Sequence, residues 1–165
     1  MFWILLVIIN IFILNLCAGV SRHINVLGVY PDVILVFSVY VALFGYRRRA
    51  IEASWVCGVL KDIAFGSVFG VNTVLFVWCG YIILKCRDNI FREHPVTHFL
   101  LNFVIIGMVT YITFLTESGL SSPGMAFSVA IRTSLISAGI APFLYAALKR
   151  IPLPTIIPVK KYLDY

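Results

Sequence analysis

The stretch from Gly58 to Asn72, GVLKDIAFGSVFGVN, sets Lys61 and Asp62 side by side within a long apolar neighbourhood. Gly58, Gly66 and Gly70 stand around the pair. On a soluble helix two adjacent charges would simply face water. The composition argues against that here: 61% of the 165 residues are hydrophobic and 12% are charged, where soluble domains carry about 25% charge. A mean hydropathy of +1.01 belongs to a chain solvated by lipid. The stretch therefore reads as the end of one membrane helix, a glycine turn, and the start of the next.

Outward from this turn, apolar runs and turn signals divide the chain into six candidate spans, at residues 2–20, 24–45, 50–65, 71–85, 97–116 and 126–148. A spanning helix needs about 20 apolar residues, so the third and fourth are short and their limits soft. The expected fold is an all-α polytopic membrane protein: one six-helix domain over residues 1–148 and a short basic tail over 149–165. Three prolines between Pro152 and Pro158 keep that tail from continuing the last helix. The first run lacks the basic segment that opens a secretory signal, Arg22 being the first cation, and reads as a retained helix.

Cations test this division, because they collect on cytoplasmic loops. Arg47, Arg48 and Arg49 follow the second span, and Lys85, Arg87 and Arg92 follow the fourth. Lys149, Arg150, Lys160 and Lys161 follow the sixth, so that ten of the thirteen basic residues fall on one side. The opposite loops hold only Arg22, and Lys61 and Arg132 lie within spans. Both termini are expected in the cytoplasm. The net charge of +6 is explained by this topology and by attraction to anionic lipid. With no soluble part to form a basic groove, nucleic-acid binding is set aside.

Charges inside lipid are expensive and turn toward one another or toward a wet cavity. Helical rise puts Asp62 about 18 Å, Asp32 about 21 Å and Arg132 about 24 Å from the basic side. With Lys61 these four sum to zero. Asp62 is expected to pair with Arg132, and Asp32 with either Arg132 or Lys61, the set locking helices together or coupling to a partner. Gly66 and Gly70 have the GxxxG spacing of close helix contacts, but a turn explains them equally well. Gly58 is a candidate packing position.

Catalytic patterns are missing from the sequence. His94 and His98 are four apart, but Pro95 suits the first turn of a helix and would leave His94 at its cap, off the face of His98. Ser128, Ser134 and Ser137 along the sixth span read as interhelical hydrogen-bonding residues. Cys17, Cys57, Cys79 and Cys86 have no metal-binding spacing and read as buried apolar residues. Neither an enzyme, a cofactor nor a metal is expected.

Several segments in order carry a resemblance. Tyr30-Pro31-Asp32-Val33-Ile34-Leu35, Tyr40-Val41-Ala42-Leu43 and the triple arginine are followed by Gly58-Val59-Leu60-Lys61-Asp62. Gly66, Gly70, Asn72, Gly80-Tyr81 and the basic stretch from Arg87 to Pro95 complete the series. Over residues 27–100 the chain resembles the rod shape-determining protein MreD family. That resemblance implies a non-catalytic scaffold of the bacterial inner membrane, acting in cell elongation and peptidoglycan synthesis. It implies as partner the bitopic protein MreC, and through it MreB, RodA and a class B penicillin-binding protein. It also implies a six-helix arrangement similar to the S component of energy-coupling-factor transporters. The alternative is a small-molecule-binding transporter subunit, whose pocket would lie near Trp55, Trp78 and the charges. Against it, the first span offers bulky residues rather than small ones four apart. Asn10 and Asn15 make that span a candidate partner-facing helix.

Overall fold

A computed structural model describes residues 30–65, 68, 70–87, 94–118 and 123–150. The first candidate span, Gly66, Arg92 and the proline-containing tail lie outside the described residues. Those described form five helices: α1 (Val33–Phe44), α2 (Arg47–Phe65), α3 (Val71–Cys86), α4 (Pro95–Glu117) and α5 (Pro123–Arg150). Among the described residues two stretches, Val96–Glu117 and Pro123–Leu148, are long and apolar enough to cross a membrane. Helices α1 and α3 are apolar but shorter.

Helix α1 lies in the middle. Its sequence, VILVFSVYVALF, is apolar on every side, which suits a helix enclosed by others as well as one in lipid. Every residue from Ile34 to Phe44 is buried, and α1 touches all four other helices. The second candidate span was expected to run as one helix from residue 24. Instead α1 begins after Pro31, where Asp32 caps it by accepting the Leu35 N–H at 3.2 Å. Asp32 is a helix terminus, not a mid-helix charge. At its other end Gly45 closes α1, its N–H donating to Val41 O at 2.8 Å.

Around α1 stand two antiparallel hairpins, α2–α3 and α4–α5. The first packs through small residues. Ala50, Ser54, Gly58 and Asp62 form one row along α2, four residues apart, and all are buried. A Cβ at Gly58 would lie 2.5 Å from Thr73 Cα, and a Cβ at Gly80 would lie 2.5 Å from Ser54 Oγ. Backbone contact this close is what holds helices together where lipid supplies no hydrophobic drive. Ser54 also accepts from Ser38 of α1 at 3.2 Å and donates to Ala50 O at 2.9 Å.

The second hairpin buries Ala126, Ala130, Ser134, Ser137, Ala141 and Tyr145 of α5 against α4 and α1. Pro142 lies inside α5. It withdraws one backbone donor, which membrane helices tolerate when neighbours compensate. Pro95 stands in the first turn of α4 with His94 as the capping residue, as the sequence suggests.

Candidate functional site

Gly70 precedes α3 with φ of +97°, a left-handed conformation that favours glycine. Glycine brings no side chain to cap the helix it introduces. The missing cap comes from the preceding helix instead. Asp62 accepts from the N–H groups of Gly70 at 3.0 Å, Asn72 at 3.2 Å and Thr73 at 3.1 Å. It also accepts from Asn72 Nδ2 at 3.0 Å and Thr73 Oγ1 at 2.6 Å. The positive end of the α3 dipole faces the same carboxylate. Asn72 passes the connection on, its Oδ1 accepting from Thr113 of α4 at 3.3 Å.

The expected Asp62–Arg132 pair does not form. Five hydrogen bonds already surround an Asp62 that is 2% exposed. Arg132 stands on the exposed side of α5, and no ion pair joins it to another described residue. Of the two partners open to Asp32, the structure selects Lys61.

That ion pair joins Lys61 Nζ to Asp32 Oδ2, with both side chains largely shielded. Asp32 Oδ1 caps α1, while the Asp32 N–H donates to Ser137 Oγ of α5 at 2.9 Å. The Lys61 ammonium also lies 5.3 Å from the centroid of the Phe76 ring on α3, within cation–π range. Four helices therefore meet at one ion pair. Such a node fixes their register, since removing one charge strands the other in an apolar setting.

The opposite end of the bundle gathers the topology residues. Arg47, Arg48 and Arg49 open α2, Lys85 and Arg87 close α3, and Lys149 and Arg150 close α5. Arg87 Nη1 donates to Gly45 O at 2.9 Å, tying the end of α3 to the end of α1. Arg48 pairs with Glu52 at 3.4 Å along the helix, and the Arg49 guanidinium lies 5.4 Å from the Tyr46 ring.

Just inside this end lies a polar aromatic cluster that sequence reading missed. Asn102 Nδ2 donates to Tyr145 OH at 2.9 Å and to His98 O at 2.7 Å. His98 packs edge-on to Tyr145 at 4.9 Å, and Tyr40 and Phe44 flank Tyr145 at 5.0 and 6.2 Å. The available signal was His98 and Asn102 four apart on one helix face. His98 is buried and His94 exposed, so the two histidines do not share a site. Trp55 and Trp78, expected near a pocket, are about half exposed at 51% and 46%. Cys57 and Cys79 are buried and Cys86 is exposed.

The geometry defines a helical bundle whose interior polar groups serve helix contacts, with no group of three or more metal-type ligands among the described residues. It is built like a membrane protein. The family of rod shape-determining protein MreD matches residues 1–150, and the chain belongs to that family. Comparison with curated proteins and with solved structures finds no match. The family is a structural one concerned with cell shape and is not known to be catalytic.

Proposed function

We propose that this chain is a six-pass scaffold of the bacterial inner membrane that organises the cell-elongation machinery through an MreC-like bitopic partner. Both termini face the cytoplasm on this reading, and MreB, RodA and a class B penicillin-binding protein are reached indirectly. The first candidate span supplies the sixth crossing, in an arrangement like that of S components but used for protein contact. The observation that carries this reading is family membership across residues 1–150. Two features support it. The gathering of cations at one end of the bundle is what cytoplasmic loops require. The interior charges Asp32, Lys61 and Asp62 bind other parts of the same bundle rather than lining an open site.

Depletion in a rod-shaped host tests the role, with co-purification from native membranes as its biochemical arm. Cells are expected to round up, and an MreC-like single-span protein to accompany the tagged chain. Rods that keep their width and length after depletion would refute the scaffold. Labelling of single cysteines at Arg48 and Glu117 from opposite sides of the membrane checks the orientation.

A further inference from the structure

Helix α5 has two faces of opposite character. Ala130, Ser134, Ser137 and Ala141 turn inward, while Arg132, Leu135, Gly139 and Phe143 are exposed. Spacings of three and four residues place these last four along one outward stripe. At its middle a Cβ on Gly139 would meet nothing within 4 Å, so a second backbone can approach there. Arg132 lies two turns away on the same stripe, and about 13 Å along the helix from Pro123. It is the one charged residue of α5 before Lys149. An arginine at that depth facing lipid is unfavourable, and an anionic neighbour relieves it.

Among the described residues no carboxylate pairs with Arg132. Residues 1–29 contain no Asp or Glu, so the first candidate span brings no carboxylate. Asp32 and Asp62 are engaged inside the bundle, and Glu52 pairs with Arg48 near the basic end. In the sequence Asp88 and Glu93 fall among the basic residues between α3 and α4 and Asp164 beyond α5, and Glu117 is the last residue of α4. A second copy related by an axis normal to the membrane would meet the same shortage.

We propose that the outward α5 stripe around Arg132 and Gly139 receives a membrane-spanning helix of another protein, one that carries a carboxylate at the depth of Arg132. The scaffold reading names a bitopic partner, and this inference, resting on it, supplies the surface and the chemistry of contact. Gly139 admits the partner backbone, and Arg132 fixes its register by a charge-assisted, two-pronged hydrogen bond.

The test uses the full chain in zwitterionic vesicles with a labelled single-span, leucine-rich peptide. The peptide bears either Glu or Gln at the depth of Arg132, and energy transfer reports association. The Glu peptide is expected to bind about tenfold tighter than the Gln peptide. Arg132→Gln should abolish that preference and Arg132→Lys should retain part of it, with circular dichroism confirming that both variants fold. Equal binding of the two peptides to the native chain overturns the proposal, as does a Glu preference that survives Arg132→Gln. A preference that disappears when anionic lipid is added assigns Arg132 to a headgroup phosphate and overturns it as well. None of these outcomes bears on rounding after depletion, so failure here and failure of the scaffold reading are told apart.

Discussion

The two hairpins treat charge in opposite ways. In α2–α3, Lys61 and Asp62 are adjacent in sequence yet serve different neighbours: one meets Asp32 at the start of α1, the other caps α3. In α4–α5, Arg132 reaches comparable depth but turns away from the bundle. Depth along a helix thus decides how costly a charge is, while the facing direction decides who must neutralise it. The charges of α2–α3 are answered within the bundle, by Asp32 before α1 and by the turn into α3, whereas Arg132 of α5 has no ion-pair partner among the described residues.

The sharpest way to break this comparison is Asp62→Ala. It strands the first amides of α3, whose own capping residue is Gly70. A buried network of five hydrogen bonds disappears with the carboxylate, and a loss of about 3–5 kcal/mol is expected. Thermal unfolding of the purified protein in detergent measures it. A variant as stable as the parent would mean that the α2–α3 turn is held by something other than this cap.

Next in size is Lys61→Met, which leaves the Asp32 carboxylate buried without its cation. About 2–4 kcal/mol is expected, within the range seen when one member of a buried pair is removed. Adding Asp32→Asn should recover part of the loss, because the amide oxygen still caps α1 and no charge remains. Additive losses in the double variant would show that the pair contributes nothing as a pair.

These two sites also mark how far sequence reading reached. The α2–α3 turn was legible, since glycines beside an apolar run announce it, and α3 was placed to within one residue. The starts of α2, α4 and α5 lie two or three residues before the apolar counts, because Arg47 to Arg49, Pro95 and Pro123 join helices as first turns. Helix α1 was misplaced at its start, although Pro31-Asp32 before an apolar run is a recognisable capping signal. The partner of Asp62 was not legible. Sequence reading looked for an opposite charge, whereas five neutral donors from a tight turn stabilise a carboxylate equally well. Nor could periodicity show that Arg132 faces outward, since apolar residues cover both sides of α5 and membrane helices lack a polar face.

A smaller effect separates glycines that packing requires from those it does not. Gly58→Ala drives a methyl group against Thr73 Cα, an unyielding backbone contact, so α2 and α3 must separate. About 1–3 kcal/mol is expected. Gly139→Ala meets open space and should stay within about 0.5 kcal/mol of the parent, or gain slightly from helix propensity.

The smallest change in stability belongs to Arg132→Gln, which breaks no described hydrogen bond and should alter unfolding by less than about 0.5 kcal/mol. Yet in cells it should impair rod shape more than its stability allows, if the α5 stripe is where the partner docks. Cell aspect ratio and membrane abundance of the variant, measured together, separate the two effects. Normal abundance with rounded cells assigns Arg132 to assembly. Normal abundance with normal rods would place partner contact elsewhere on the bundle. The contrast with Asp62→Ala is then complete: one charge removed from within should empty the membrane of protein, and one removed from the outer face should leave the protein present but unconnected.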